Sequence, residues 1–294
     1  MLTRRSAIKL GLGATAALTF TRLDAKPAPL KLYPIGIGTA RRFDVGASEE
    51  ERAPLREVLR ELPRLGGQVV DTAPSYGNAE SVVGELVAEL GNRDKLFIAT
   101  KVGAGKEGAA AGLAEMNASL KRLRMNSVDL LQIHNLNGVD LMLPAVRKWK
   151  DDARTRFIGI STSSARQYES LEAIMKREQL DFIQIDYAID NRAAEERILP
   201  LAADRGIRVL TNLPFGRGRV FEKFEGRDVP GWAKELGITT WAQFALKYVV
   251  SHPAVTVAIP GTAKLAYLHD NLGAGKGPMP DAATRAKMAA LVAD

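Results

Sequence analysis

From about residue 30 onward, short apolar runs alternate with amphipathic helical patterns along the chain. The runs are rich in β-branched residues and apolar at successive positions, which is typical of parallel strands buried on both faces. The stretches between them have helical spacing, as in Trp241, Phe244, Ala245 and Tyr248. Eight such units predict a single-domain α/β fold, a (β/α)8 TIM barrel over residues 31–294. The predicted strands are residues 33–37, 68–70, 96–99, 128–133, 157–160, 182–185, 207–210 and 255–259.

An open, doubly wound parallel sheet is the alternative architecture for this alternating pattern. That fold needs a glycine-rich fingerprint with three glycines after its first strand. Here Gly36 and Gly38 lie at the end of the first predicted strand, and the third glycine is missing. The closed barrel is therefore the favoured fold.

Composition excludes several classes of function. The chain has no cysteine, which excludes disulfides, thiolate catalysis and cysteine-ligated metals. The formal net charge is +7, but the basic residues are scattered and have no interleaved aromatic residues, so nucleic-acid binding is not expected. His134, His252 and His269 are too far apart in sequence to give the spacing of metal ligands, and no metal site is predicted.

The first 25 residues form a separate segment that we exclude from the fold. TRRSAIK at residues 3–9 resembles a twin-arginine export motif, and a weakly apolar stretch follows at 10–20. Eleven residues cannot span a bilayer, which requires about 20. We therefore expect residues 1–25 to be an export signal that engages the export machinery and directs the protein to the periplasm. The alternatives are a disordered basic tail and a cytoplasmic protein.

Functional groups of a barrel lie just beyond the carboxyl ends of its strands. Four reactive side chains occupy such positions: Asp71, Tyr76, Lys101 and His134. A lysine ammonium lowers the pKa of a nearby phenol, and an aspartate keeps that lysine charged. The set is suited to protonating a carbonyl oxygen from Tyr76 while hydride reaches the carbon. Taken singly, each residue also has a structural explanation, such as a capping aspartate or a packing tyrosine.

The loops after the seventh and eighth strands carry features of a phosphate site. Glycine-rich backbone and the guanidinium groups of Arg217 and Arg219 occupy residues 215–219, although a flexible surface loop would look similar. Residues 261–264 open the last helix of the barrel, where free amides favour anions, and Lys264 is suited to a 2′-phosphate.

Several of these segments resemble the aldo-keto reductase family. They are DTAPSYGNAE at residues 71–80, DLLQIH at 129–134, IGIS at 158–161, QIDY at 184–187 and IPGT at 259–262 with Asp270 and Asn271. The resemblance covers roughly residues 31–275 in the family's order. It implies catalytic roles for Asp71, Tyr76, Lys101 and His134. Together with the loop chemistry, it implies cofactor binding by Thr39, Ser161, Thr162, Gln184, Asn212, Phe215, Gly216, Arg217, Gly218, Pro260, Gly261, Thr262, Lys264 and Asn271.

The chain departs from the family at the cofactor end. Gly261 and Thr262 replace a frequent Lys-Ser pair, and Tyr267 replaces an arginine; those basic groups normally recognise the 2′-phosphate. Asn212 stands where many members have an aromatic residue that stacks on the nicotinamide; either Phe215 takes that role or the stack is lost. We therefore expect NADPH as the cofactor, with NADH as the alternative.

The sequence thus predicts an NAD(P)H-dependent aldo-keto reductase that converts small aldehyde or ketone substrates to alcohols. One alternative is a Schiff-base lyase with Lys101 as its nucleophile. The other is a non-catalytic barrel that keeps the dinucleotide as a ligand. Neither the particular substrate nor the oligomeric state follows from the sequence.

Overall fold

The computed structural model describes residues 30–104 and 108–293. The predicted export signal at residues 1–25 lies outside the described residues. Within them, no helix is both long and apolar enough to cross a membrane.

Eight parallel strands form one sheet in sequential order. The sheet closes on itself, because the Gly36 amide donates to the Ala258 carbonyl (2.9 Å) and the Gly38 amide donates to the Pro260 carbonyl (3.0 Å). This closure confirms the barrel and excludes the open sheet. The strands are β1 (Ile37–Gly38), β2 (Val69–Asp71), β3 (Phe97–Val102), β4 (Val128–Ile133), β5 (Thr155–Ser161), β6 (Phe182–Asp186), β7 (Arg208–Asn212) and β8 (Val255–Ala258).

Two strands differ from the sequence prediction by three residues or more at one end. The first was predicted at 33–37, but β1 is only Ile37–Gly38, with a single bridge from Ile35 to Ala258 before it. Pro34 has no amide hydrogen to donate, which limits regular pairing there. The third was predicted to end at residue 99, but β3 continues to Val102, so that Lys101 pairs with Gln132 inside the sheet.

Ten α-helices occur within the described residues, and most of them follow a strand. They are α1 (Glu49–Arg64), α2 (Ala79–Leu90), α3 (Ala109–Leu123), α4 (Val139–Asp151), α5 (Tyr168–Arg177), α6 (Ile198–Asp204), α7 (Arg219–Lys223), α8 (Trp241–Val250), α9 (Leu265–Gly273) and α10 (Ala282–Ala293).

The first residues of α8 and α2 test whether N-terminal caps can be predicted from the sequence. Thr240 caps α8, since its hydroxyl accepts from the Gln243 amide at 3.1 Å, as this residue type is expected to do. Asn78 precedes α2, where its side chain is expected to accept from the free amides of the first turn. That expectation is wrong, because its side chain makes no capping bond. Instead its backbone amide donates to the Asp44 carboxylate (2.9 Å) and its side-chain nitrogen to the Val45 carbonyl (3.3 Å).

The barrel interior is apolar at one end and polar at the other. Near the amino ends of their strands, Phe97, Phe157 and Phe182 pack with ring centroids 5.5–6.0 Å apart. Towards the carboxyl ends the buried positions are polar, including Asp71, Lys101 and Gln184. Burying these groups is costly unless each is paired, so this end of the barrel is the candidate site.

Candidate active site

Lys101 and Asp71 form a buried ion pair between adjacent strands. The Lys101 side chain is fully buried, and its Nζ donates to Asp71 Oδ2 at 2.7 Å and to the Thr72 carbonyl at 3.0 Å. Parallel pairing of β2 with β3 fixes this separation, because Asp71 ends one strand and Lys101 lies near the end of the other. The ammonium is therefore held by rigid backbone on both sides.

Tyr76 and His134 complete a four-residue cluster with this pair. Lys101 Nζ lies 4.9 Å from the centroid of the Tyr76 ring. The rings of Tyr76 and His134 meet edge to face, with centroids 6.0 Å apart. The structure thus brings Asp71, Tyr76, Lys101 and His134 together from three successive strand ends, as the sequence predicts.

Lys101 and Tyr76 both stay protonated at ordinary pH, because the pKa of each group is raised. Burial lowers the pKa of Lys101, but the Asp71 carboxylate and the Tyr76 phenol outweigh it, so the pKa of Lys101 lies above its ordinary value. Burial also raises the pKa of Tyr76, and the Lys101 ammonium only partly opposes that rise. Lys101 does lower the pKa of Tyr76, as the sequence predicts. The prediction that the pKa falls below its ordinary value is wrong, because desolvation of the phenol has the larger effect.

His134 is neutral at ordinary pH. Burial, and then the positive charge of Lys101, lower its pKa from 6.5 to about 4. A neutral imidazole donates through only one ring nitrogen. His134 is therefore suited to donating a hydrogen bond to a substrate oxygen and unsuited to supplying the proton.

Asp71 has two further donors, one of which the sequence analysis missed. Gln184 Nε2 donates to Asp71 Oδ1 at 2.7 Å, and Gln132 Nε2 lies 3.3 Å from the same oxygen. Gln184 was predicted as a nicotinamide contact; in this structure its amide nitrogen is directed to the cluster. The signal for Gln132 was available, since it is a polar residue inside an apolar strand two positions before His134.

The predicted contacts after β5 and β7 lie beside each other. The Ser161 hydroxyl accepts from the Asn135 amide at 3.3 Å, and Asn212 Nδ2 donates to the Thr162 carbonyl at 3.0 Å. The buried Oδ1 of Asn212 has no hydrogen-bond partner among the described residues. An unpaired buried acceptor fits an amide donor from a ligand such as a carboxamide. The Phe215 ring packs on Phe221, with centroids 4.9 Å apart.

The β7 loop, residues 213–219, borders a cationic cavity of about 300 Å³. Its charged lining residues are three arginines against one carboxylate: Arg217 and Arg219 of this loop, Arg166 of the loop after β5, which sequence reasoning missed, and Asp186 at the end of β6. Gly216, Arg217 and Gly218 have φ values of 56°, 61° and 106°, so three successive residues adopt the left-handed region that favours glycine. The charge of this cavity fits a pyrophosphate, which guanidinium groups bind well.

The turn after β8 is partly buried and partly exposed. Thr262 is buried, and its hydroxyl accepts from Asn271 Nδ2 at 3.1 Å, which ties the turn to α9. Pro260 is buried and Gly261 is exposed. Lys264 is also exposed, with its Nζ 5.7 Å from the Tyr267 ring centroid. Thr39, which directly follows β1, is buried and its hydroxyl donates to the Asp71 carbonyl at 3.0 Å.

A second cavity, of about 600 Å³, lies elsewhere. Tyr248 and His252 from the end of α8, together with Arg285 of α10, are part of its lining. It includes no residue of the four-residue cluster or of the predicted cofactor contacts. The smaller cavity is the one that adjoins the candidate site.

The geometry is that of a barrel enzyme with a charged lysine beside a phenol at its active end, and comparisons with known proteins identify its family. The model of the "Aldo/keto reductase family" matches residues 34–286. The chain is 30% identical over 215 residues to aldo-keto reductase YhdN from Bacillus subtilis, covering 66% of this chain and 64% of that protein. It is 27% identical to the NADH-specific methylglyoxal reductase of Escherichia coli, covering 77% and 73% of the two chains.

A solved structure agrees with these relatives. The aldo/keto reductase from Klebsiella pneumoniae, in complex with NADP and acetate, superposes with a TM-score of 0.75. It is 25% identical, and the match covers 87% of this chain and 90% of that one. The chain belongs to the aldo/keto reductase family. The predictions of the barrel, of an NAD(P)H-dependent carbonyl reductase and of a nicotinamide cofactor are therefore confirmed.

The lyase alternative is not supported. A Schiff base requires a neutral amine as nucleophile. Lys101 is fully buried, is paired with Asp71, and has a pKa above its ordinary value, so its amine stays protonated.

Proposed function

We propose that this protein reduces small aldehyde or ketone substrates with NADPH, and that Tyr76 donates the proton. The observation that carries the proposal is the buried Lys101 ammonium, 2.7 Å from Asp71 Oδ2 and 4.9 Å from the Tyr76 ring. An ammonium held at this place stabilises the phenolate that remains after proton transfer.

Each member of the cluster has one task in this proposal. Tyr76 stays protonated until the carbonyl oxygen takes its proton, because burial keeps the pKa of its phenol high. Lys101 then faces the newly formed phenolate, and Asp71 keeps Lys101 charged and oriented. His134, being neutral, donates a hydrogen bond to the carbonyl oxygen and aligns it with the phenol.

The cofactor contacts follow from the cavity and the strand ends. When bound, NADPH supplies the hydride to the carbonyl carbon. Arg217, Gly216 and Gly218 of the β7 loop would hold its pyrophosphate, and Asn212, Thr162 and Ser161 would bind its carboxamide. Lys264 meets the 2′-phosphate. The NADP complex of the Klebsiella protein supports NADPH, while the E. coli relative named for NADH keeps NADH as the alternative.

The test is a Tyr76→Phe variant assayed for carbonyl reduction and titrated with both dinucleotides. Turnover should fall about 10²- to 10⁴-fold, the usual contribution of a general acid, while dinucleotide affinity stays unchanged. Tyr33→Phe is the control, since it removes a hydroxyl that donates to the Leu272 carbonyl at 2.7 Å, away from the cluster. Near wild-type turnover in Tyr76→Phe would show that another group donates the proton.

We further propose that residues 1–25 direct export by the twin-arginine route, with the barrel domain at 31–294 as the mature enzyme in the periplasm. The support is the sequence alone: TRRSAIK at 3–9, the apolar stretch at 10–20 and the basic Arg22 after it. Cell fractionation should find the wild-type protein in the periplasm and an Arg4→Lys, Arg5→Lys variant in the cytoplasm. Equal distribution of both proteins would contradict the proposal.

A further inference from the structure

An acidic residue lies against the β7 loop, where an anion would be least expected. Asp190 follows β6 in a tight turn closed by two backbone bonds, Ala188 amide to Asn191 carbonyl (3.1 Å) and Asn191 amide to Ala188 carbonyl (3.0 Å). Asn191 Nδ2 also donates to Asp186 Oδ2 at 2.8 Å, which anchors the turn to the end of β6. Asp190 is thus held in place by its own backbone.

Only one oxygen of the Asp190 carboxylate is paired with an arginine of the β7 loop; the other oxygen accepts no hydrogen bond from the described part of the chain. Arg219 directs both Nε (2.9 Å) and Nη2 (2.8 Å) to Asp190 Oδ2. Oδ1 is buried without a hydrogen-bond partner among the described residues. A Cβ atom added at Gly216 would come within 2.6 Å of Asp190 Oδ1, so the carboxylate packs directly on the loop backbone.

The two side chains of this pair differ in their exposure to solvent. The Asp190 side chain is 12% exposed, whereas the Arg219 side chain is 55% exposed. Arg219 can therefore turn towards a ligand without disturbing the core, while Asp190 cannot follow. Arg219 also lines the cationic cavity with Arg166 and Arg217.

We propose that Asp190 competes with the phosphate groups of the dinucleotide for Arg219 and so lowers the affinity of the β7 loop for it. In the free protein, Arg219 is paired with Asp190, and the cavity has one cation fewer available. A bound pyrophosphate recruits Arg219, because guanidinium binds phosphate strongly, and leaves Asp190 unpaired beside it. The unpaired carboxylate penalises the bound state, which weakens binding of the dinucleotide.

This inference rests on the proposed function for the identity of the ligand, but its test does not require catalysis. ADP is the probe, since it carries the diphosphate and lacks the nicotinamide, and calorimetry gives its Kd. Asp190→Asn, which has nearly the same shape, should lower the Kd for ADP about three- to tenfold, and Asp190→Ser should do so as well. Arg219→Ala should raise the Kd, and in that background Asp190→Asn should change it less than twofold.

Glu196→Gln is the matched control, because it removes one exposed negative charge just beyond the same turn and should leave the Kd unchanged. Weaker or unchanged ADP binding in Asp190→Asn and Asp190→Ser would overturn the inference. So would equal tightening in Glu196→Gln or in the Arg219→Ala background, since that would be a general charge effect. Failure of the wild-type protein to bind ADP would also overturn it. A Tyr76→Phe enzyme with full turnover would contradict the proposed function alone.

Discussion

The four-residue cluster and the β7 loop lie at the same end of the barrel but are built from different kinds of backbone. Asp71 and Lys101 are in strands whose pairing sets their separation, and both side chains are buried. The β7 loop instead has three successive residues with positive φ, and its arginines are exposed. The cluster is held by the hydrogen bonds of the sheet, whereas the β7 loop is held by turns with positive φ and by ion pairs.

This difference matches what each region is proposed to do. Proton transfer requires donor and acceptor to be placed within a fraction of an ångström, which rigid strands provide. Dinucleotide binding and release require a loop that adapts to its ligand. Substitutions in the cluster should therefore lower turnover at constant affinity, whereas substitutions in the loop should change affinity at constant turnover.

The largest effect is expected for Lys101→Met. Without the ammonium the phenolate of Tyr76 is unstabilised, so turnover should fall about 10²- to 10⁴-fold. Asp71 would also be left as a buried charge without its partner, which costs about 3–5 kcal/mol of unfolding free energy. Turnover assays and urea unfolding measure these two losses, and dinucleotide titration checks that affinity is unchanged. A loss confined to dinucleotide affinity would break the division between the two regions.

Lys247→Met is the matched control for this prediction. Lys247 is also fully buried, but its Nζ donates to backbone carbonyls, among them those of Lys276 (2.6 Å) and Pro278 (3.1 Å). Its loss should lower stability and leave turnover unchanged in the protein that remains folded. Comparable turnover losses in both variants would mean that Lys101 acts only through folding.

A pH titration of stability should separate His134 from the rest of the cluster. Its folded pKa is about 4, against about 6.5 in the unfolded chain, because burial and Lys101 disfavour the charged ring. Between these values the unfolded state binds the extra proton, so stability is fully present above pH 6.5 and is lost as pH falls towards 4. His134→Gln should flatten this part of the urea-unfolding profile. An unchanged profile would show that His134 is not desolvated.

The same contrast explains what the sequence predicts well. The cluster is readable because Asp71, Lys101 and His134 lie at or near strand ends, and parallel pairing brings strand ends together. Arg166 and Asp190 were missed because they lie on loops, whose paths depend on contacts between distant segments. The pKa of Tyr76 was predicted in the wrong direction, since the sequence shows a neighbouring cation but not how deeply the phenol is buried. The missing capping bond at Asn78 has the same origin in tertiary contacts, since its amide groups donate to Asp44 and Val45. The short β1 differs, because Pro34 is visible in the sequence.

Gly216→Ala should lower dinucleotide affinity and leave turnover unchanged. Its φ of 56° disfavours a side chain, and a Cβ there would collide with the Asp190 carboxylate. We expect dinucleotide affinity to fall about tenfold, the equivalent of roughly 1.4 kcal/mol, with turnover at saturation unchanged. Gly226→Ala is the control for backbone strain, since its φ is 70° but nothing lies within 4 Å of its Cβ position. If both variants lost the same dinucleotide affinity, the collision with Asp190 could not be the cause.

The smallest effect is expected for Lys264→Ala, in the turn after β8. Lys264 is exposed, so its contact with a 2′-phosphate is screened by solvent and should contribute only about three- to tenfold to NADPH affinity. NADH, which lacks that phosphate, should bind the variant as well as the wild type. Lys234→Ala removes the same charge from another exposed position and should change neither affinity. Equal weakening of NADPH and NADH in Lys264→Ala would place Lys264 at the pyrophosphate instead, and NADPH recognition would then fall to other cations at this end of the barrel.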